Sequence, residues 1–270
     1  MAHEVPVPNE PVDGLPEIIR RARARTPARI LVGRAGPAYR TATQLELRSD
    51  HAAAVDAVHA EIDLGRDFPT DFVRQWRLFQ VRTSAHNKTE YLLRPDLGRR
   101  LSEAARQGIA RQCQAGCDVQ VVIGDGLSAA AVKTQVPGLL PLLVQGTQSC
   151  GRSFGRPFVV QYCRVGILND IGEVLDPRVV ILLIGERPGL ATADSLSAYL
   201  AYRPRAGHTD AQRNLISNIH ARGIGLDEAA ARILRLADQM VRLQASGVMV
   251  KEDVTTALPG GCHGPAASIK

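Results

Sequence analysis

The sequence predicts an α/β protein in which a Rossmann-like parallel sheet domain, residues 101–250, is preceded by a smaller, mainly helical N-terminal domain, residues 14–100. Val179–Ile184 is an uninterrupted apolar segment of strand length, and Val119–Ile123 is apolar except for Gln120. Such segments are typical of parallel strands covered on both faces. Segments with helical spacing of apolar residues alternate with these strands, as in sheets whose strands are connected by helices. A chain of 270 residues is long enough for both domains.

The N-terminal part is predicted to contain short helices joined by irregular segments. Residues 1–13 are proline-rich and aperiodic, and we expect them to form a flexible lead. Leu15–Arg25 has apolar residues at helical spacing, and a break containing glycine and proline follows at residues 33–37. Asp50 is a candidate N-cap for a helix that continues to Ile62.

The C-terminal part is predicted to alternate helices and strands from residue 101. Leu101, Ala105, Ile109 and Cys113 share one face of its first helix. Residues 251–270 are rich in glycine, proline and alanine, and we expect a disordered tail there. The other predicted elements are strands Val119–Ile123, Phe158–Tyr162, Val179–Ile184 and Ser197–Tyr202, helix Ala129–Gln135 capped by Ser128, and helix Asp227–Ser246 with Gly247 as its C-cap.

The chain is basic, with a formal net charge of +6 and eight arginines within residues 20–48. Tyr39 is the one aromatic residue in that stretch, and no zinc-finger or RNP-like motif accompanies it, so we expect no nucleic acid partner. The charge pattern favours solvated helix faces and salt bridges at protein interfaces. It leaves open the binding of an anionic ligand or an acidic partner.

Cysteine use and hydropathy predict a cytoplasmic protein. The five cysteines are odd in number and irregularly spaced, which fits a reducing compartment better than a disulfide framework. No apolar run reaches the ~18–20 residues that span a bilayer, and residues 1–13 lack the apolar core of a secretory signal. Cys113 and Cys117 do not have the spacing of a zinc pair, so no metal site is predicted.

Two glycine-containing turns follow predicted strands and are candidate ligand sites. Gly124-x-Gly126-x-x-Ala129 resembles the dinucleotide fingerprint, but the acidic residue expected ~20 positions later is absent, which favours a plain strand-to-helix turn. The second turn, residues 185–190, follows the most apolar strand. Its Glu186 would need a partner or a ligand there, so a binding site and a structural loop are equally compatible with the sequence. No G-x-S-x-G, H-E-x-x-H or P-loop motif is present, so the chain has no catalytic constellation of its own.

Several stretches in order along residues 15–251 make the chain resemble the ethanolamine ammonia-lyase small (light) subunit family. Each stretch is weak evidence, whereas the ordered set is specific. The stretches are Gly33-Arg34-Ala35-Gly36-Pro37, Arg40-Thr41, Asp50-His51, Leu93-Arg94-Pro95-Asp96-Leu97-Gly98-Arg99-Arg100, Asp118-Val119-Gln120-Val121-Val122-Ile123, Asp125-Gly126-Leu127-Ser128, Gly185-Glu186-Arg187-Pro188-Gly189-Leu190 and Ile216-Ser217-Asn218-Ile219-His220.

The resemblance implies a role as one subunit of a hetero-oligomeric carbon–nitrogen lyase. Together with a large catalytic subunit, such a chain converts ethanolamine to acetaldehyde and ammonia by radical chemistry that adenosylcobalamin supplies. The small subunit helps to bind the cobalamin at the interface between the two subunits. The resemblance leaves open the stoichiometry and whether the complex resides in a bacterial microcompartment. The alternative is a stand-alone Rossmann-like nucleotide-binding or scaffold protein.

The resemblance also implies three cofactor-binding residues, Val165, Glu186 and Leu215. Val165 corresponds to the valine of the family's Gly-Arg-Val stretch, and Glu186 to the glutamate of its Gly-Glu-Arg-Pro-Gly loop. Leu215 stands where the family pattern has cysteine, so its contact would be apolar or through the backbone. His220 sits in Asn218-Ile219-His220-Ala221-Arg222-Gly223, a near match to the Asp-x-His-x-x-Gly motif of cobalt-ligating histidines. Because asparagine replaces the orienting aspartate, we interpret this match as chance spacing.

Overall fold

The computed structural model describes residues 16–26, 30–189 and 194–252. The predicted flexible lead lies outside these residues, as does the predicted tail beyond residue 252. Among the described residues, no helix has the length and apolarity to cross a bilayer. The α-helices are α1 (Glu17–Ala24), α2 (Thr41–His59), α3 (Leu64–Asp67), α4 (Thr70–Trp76), α5 (Lys88–Leu93), α6 (Glu103–Gln112), α7 (Ala129–Ser149), α8 (Ile167–Leu175) and α9 (Leu226–Leu243).

The strands form a small hairpin and one six-stranded sheet. The hairpin pairs β1 with β2, and the sheet has the order β3-β5-β4-β6-β7-β8. The strands are β1 (Arg34–Ala35), β2 (Ala38–Tyr39), β3 (Gln80–Arg82), β4 (Val119–Gly124), β5 (Phe158–Gln161), β6 (Val179–Gly185), β7 (Leu196–Tyr202) and β8 (Asn214–Ile219).

The sheet is mixed, which corrects the prediction of a parallel sheet. Strands β3, β5, β4 and β6 run parallel to one another. Strand β7 returns antiparallel to β6, and β8 is antiparallel to β7. Only ten residues separate the end of β6 from the start of β7, and an antiparallel return beside β6 needs only such a short connection. Strand β3 also lies before the predicted boundary at residue 100, so the sheet begins within the part that was expected to be helical.

Helices cover both faces of the sheet, as the apolar strands predicted. Ile181 and Leu183 of β6 pack in one core cluster with α7 and α9. Val180 and Leu182 of the same strand pack in a second cluster with α6 and α8. Alternate residues of one strand therefore belong to opposite cores, which explains why its sequence is apolar throughout.

Several helix limits differ from the sequence predictions. Asp50 lies inside α2, which begins at Thr41, so it is not an N-cap. Helix α7 continues past Gln135 to Ser149 although it contains Pro137 and Pro141. Helix α9 ends at Leu243 with Gln244 in the left-handed conformation as its C-cap, in place of Gly247. The predicted cap at Ser128 is confirmed, because its side chain accepts a hydrogen bond of 3.1 Å from the Ala131 N–H.

Candidate cofactor site at the carboxyl edge of the sheet

A cavity of ≈ 340 Å³ lies beside the carboxyl ends of β4, β5 and β6. This is the edge at which open sheets with parallel strands bind their ligands. The three residues predicted to contact the cofactor all line this cavity, although they are separated by up to fifty residues in the chain. Its lining includes the side chains of Tyr91, Arg164, Val165, Glu186, Tyr199 and Leu215.

Two glycines lock the β4–α7 turn against the loop after β6. Gly126 has a positive φ of 57°, and a Cβ atom there would lie 2.3 Å from the Gly185 carbonyl oxygen. A Cβ atom on Gly185 would lie 2.0 Å from the carbonyl oxygen of Ser128. The Leu127 N–H donates a 3.1 Å hydrogen bond to Gly185 across the same contact. Side chains at these two positions would separate the loops that form one wall of the cavity.

The same contacts account for the resemblance to a dinucleotide fingerprint. A Cβ atom on Gly124 would lie 2.7 Å from Sγ of Cys163, so this glycine allows close packing between neighbouring strands. The first turn of α7 is capped by Ser128. Both glycines of the turn, Gly124 and Gly126, are therefore accounted for by close packing against the protein itself, and the interpretation as a strand-to-helix turn fits the structure.

The Glu186 carboxylate is held by three donors from the protein. Its Oε2 accepts from Ser195 Oγ at 2.8 Å, and its Oε1 accepts from Ser197 Oγ at 2.6 Å and from the Asn218 N–H at 2.9 Å. Glu186 is half-buried and still lines the cavity. The sequence predicted that this carboxylate needs a partner or a ligand, and the need is met within the chain. Glu186 therefore fixes the ends of β6, β7 and β8 relative to one another.

Val165 and Leu215 give the cavity an apolar side. Val165 follows β5 and is half-buried, whereas Leu215 lies on β8 opposite Tyr199 and is 46% exposed. A single exposed leucine is common on protein surfaces and proves no contact by itself. The side chain nevertheless offers the cavity the apolar contact expected at this position.

A buried charged pair lies beneath the cavity and was not predicted. Asp125 is fully buried, and its Oδ1 and Oδ2 accept the backbone N–H groups of Cys163 and Tyr162, each at 2.9 Å. The Lys88 ammonium is 3.9 Å from Asp125 Oδ2 and donates to the Gly126 carbonyl oxygen at 3.2 Å. Burial raises the pKa of Asp125 and lowers that of Lys88, and the opposite charge of each partner counteracts both shifts. The feature of the sequence that could have indicated this buried pair is an aspartate, Asp125, directly after an apolar strand.

Two further cavity residues, Tyr91 and Arg164, were also missed. The Tyr91 hydroxyl donates to the Cys163 carbonyl oxygen at 3.0 Å, and the Arg164 guanidinium lies over the Tyr91 ring, 4.4 Å from its centroid. Burial raises the pKa of Tyr91 far above its ordinary value, so this phenol stays protonated. Arg164 could have been identified from the sequence because it directly precedes Val165, a predicted cofactor contact.

His220, the histidine of the near match to Asp-x-His-x-x-Gly, makes its contacts within the protein itself. His220 is 2% exposed. Its Nε2 is 2.7 Å from Asn218 Oδ1, and its Nδ1 accepts the Arg222 N–H at 3.3 Å. Both ring nitrogens therefore have protein partners, which agrees with chance spacing as the interpretation of this motif.

Cys113 and Cys117 belong to the buried core of the structure. Both thiols are buried, and burial raises the pKa of each to about 11. The described residues contain no group of three or more histidine, cysteine, aspartate or glutamate side chains placed to hold a metal ion.

Comparison with known proteins gives one consistent family. The profile of the family described as ethanolamine ammonia-lyase light chain (EutC) matches residues 16–251. A Clostridium perfringens protein named ethanolamine ammonia-lyase small subunit is 43% identical over 229 residues, which cover 85% of this chain and 76% of that protein. Proteins of the same name from Fusobacterium nucleatum and Clostridioides difficile are each 42% identical over 229 residues, which again cover 85% of this chain and 76% of each relative. The chain therefore belongs to the ethanolamine ammonia-lyase light chain, or small subunit, family.

Proposed function

We propose that this chain is the small subunit of an adenosylcobalamin-dependent ethanolamine ammonia-lyase and that it binds part of the cobalamin at the interface with a large catalytic subunit. One observation carries the proposal beyond family membership. Val165, Glu186 and Leu215, identified from separate stretches of sequence, line a single cavity at the ligand-binding edge of the sheet.

The size and lining of the cavity fit part of a cobalamin. Its ≈ 340 Å³ is near the lower end of the ~300–1,000 Å³ range of pockets for drug-sized ligands, and cobalamin is larger than such ligands. Apolar Val165 and Leu215 suit the edge of a corrin ring, and polar groups around Glu186 suit its peripheral amides. A second chain would have to cover the remainder of the cofactor, which agrees with a shared site.

The chain's own residues would bind and position the cofactor. When bound, adenosylcobalamin supplies radical chemistry that enables loss of ammonia from ethanolamine. Glu186 would maintain the cavity wall through its three hydrogen bonds and present its carboxylate edge to the ligand. Val165 and Leu215 would exclude water from the apolar part of the contact.

Reconstitution with the large subunit tests the proposal. Each subunit and the pair are incubated with adenosylcobalamin and separated by gel filtration. Retained cobalamin is then measured by absorbance, and acetaldehyde and ammonia formation from ethanolamine are assayed. We expect cofactor retention and turnover with the pair and no turnover with this chain alone. Turnover by this chain free of partner, or a pair that retains no cobalamin, would contradict the proposal.

A further inference from the structure

Arg164 is a cationic side chain in the cavity without a described counter-charge. It follows β5, is half-buried and lines the cavity. Its guanidinium is stacked on Tyr91, yet its buried Nε has no hydrogen-bond partner. Within residues 16–26, 30–189 and 194–252, no carboxylate forms an ion pair with it. A buried donor without a partner is uncommon in folded proteins and calls for an explanation.

The acidic groups near the cavity are engaged elsewhere. Asp125 accepts two backbone N–H groups and lies beside the Lys88 ammonium. Glu186 has both carboxylate oxygens bonded to Ser195, Ser197 and Asn218. Neither carboxylate is free to turn toward Arg164 without breaking these hydrogen bonds. The positive charge of Arg164 is therefore available to a bound group.

The environment of Arg164 favours an anion with several oxygens. A guanidinium presents a planar set of donors that matches phosphate, and stacking on an aromatic ring fixes its plane in advance. Arg187, which is exposed, lines the same cavity and adds a second positive charge. A neutral amide would satisfy one donor but would leave the charge uncompensated.

We propose that Arg164 binds the phosphodiester of the cobalamin nucleotide tail. This inference rests on the proposed function, because it assigns one subsite within the proposed cofactor site. The phosphodiester is the anionic group of that tail, and the peripheral side chains of the corrin end in neutral amides. Arg164 therefore selects corrinoids that carry the nucleotide tail.

The test compares two corrinoids on the complex with the large subunit. Hydroxocobalamin contains the phosphodiester, and dicyanocobinamide lacks it. Arg164→Gln should weaken hydroxocobalamin binding about tenfold to a hundredfold, the usual effect of losing a charge-assisted hydrogen bond, and leave cobinamide binding unchanged. Arg164→Lys should retain part of the affinity because it keeps the charge. Arg156→Gln is the matched control, since Arg156 is stacked on Phe79 at 4.7 Å and does not line the cavity.

A second measurement observes the phosphorus atom directly. The ³¹P NMR signal of hydroxocobalamin bound to the wild-type complex should move from its free position. With Arg164→Gln it should return toward that position, whereas Arg156→Gln should match the wild type. This measurement decides the question if cobinamide binding is too weak to measure, and Arg164→Lys replaces Arg164→Gln if the latter does not fold.

Three outcomes would overturn the inference. Equal losses of both corrinoids in Arg164→Gln would place the contact away from the phosphodiester. An unchanged affinity and ³¹P signal would show that Arg164 makes no such contact. Weaker subunit association without any corrinoid would instead assign Arg164 to a carboxylate of the large subunit. Failure of the wild-type complex to bind hydroxocobalamin would refute the proposed function itself.

Discussion

The Oε1 atom of Glu186 accepts a 2.9 Å hydrogen bond from the backbone N–H of Asn218, thirty-two residues further along the chain. Asn218 has a left-handed φ of 63° and lies in β8, near the irregular register between β7 and β8. Ser197 of β7 donates to the same carboxylate oxygen at 2.6 Å. One side chain therefore connects the loop after β6 to two antiparallel strands that line the cavity.

Glu186→Ala should reduce both the stability of the chain and the cobalamin affinity of the complex. Removal of the carboxylate leaves two hydroxyls and one N–H without an acceptor, which we expect to cost about 1–3 kcal/mol of unfolding free energy. Each 1 kcal/mol corresponds to roughly 2–4 °C in melting temperature for a chain of this size. Thermal unfolding and cobalamin titration measure the two effects. Ser197→Ala, which removes one donor and keeps the carboxylate, should have the smaller effect on each. A folded Glu186→Ala complex with wild-type affinity would restrict Glu186 to a structural role.

Leu215→Asp should leave the isolated chain folded and prevent cofactor retention or assembly with the large subunit. Because Leu215 is 46% exposed in this chain, a charge there remains hydrated until a cofactor or a partner covers it. Circular dichroism of the isolated variant and cobalamin retention by the reconstituted pair are the measurements. Leu215→Cys, which introduces the family residue, should behave like the wild type. A fully active Leu215→Asp complex would mean that residue 215 faces solvent in the assembly.

Asp125→Asn should destabilise the chain by about 1–3 kcal/mol in urea unfolding. Both carboxylate oxygens accept backbone N–H groups. An asparagine would place its amide NH₂, which is a donor, opposite one of these N–H donors and leave that N–H without an acceptor. The substitution also leaves the buried Lys88 without its counter-charge. Asp176→Asn is the control, because Asp176 is 68% exposed and its pair with Arg203 is at the surface. Equal stabilities of the two variants would contradict the importance assigned to the buried pair.

Glu252→Gln should weaken the dependence of stability on acid pH. The hydrogen bonds from Arg232, at 2.5 and 2.7 Å, hold the pKa of Glu252 below its ordinary value of 4.5. The folded chain therefore binds fewer protons at this group than the unfolded chain. Its stabilising contribution is present above pH 4.5 and is lost as the pH falls through the folded pKa. We expect the variant to lose up to about 1 kcal/mol at neutral pH and to differ less from the wild type near pH 3. Urea unfolding of the variant and the wild type between about pH 3 and neutral pH measures the difference in unfolding free energy, and Glu46→Gln, at an exposed position, is the control. The same difference at every pH would contradict the prediction.

The sequence by itself determined the elements whose pattern is local. Strand β6 is apolar throughout, and β4 is apolar except for Gln120, because helices cover both of their faces. Helix α9 has its apolar residues at helical spacing because one face of it packs on the core. Ser128 was identifiable as a cap because its hydrogen bond reaches only three residues ahead. The ordered family motifs also selected Val165, Glu186 and Leu215 before their positions in space were known.

Tertiary structure alone decided the features that depend on distant residues. Strand β8 is exposed along much of its length and contains Asn214, Ser217 and Asn218, so it lacks the apolar run that identified β4 and β6. The direction of β7 is set by its connection to β6 and by pairing with both neighbours, because a strand's own composition does not encode whether it runs parallel or antiparallel. The partners of Glu186, and the lack of a counter-charge near Arg164 among the described residues, depend on side chains that meet only when the sheet assembles. The hydrogen bonds and the charge balance at the cavity depend on the positions of residues that are distant in sequence. Helix or strand periodicity, which is a local pattern, carries no information about them.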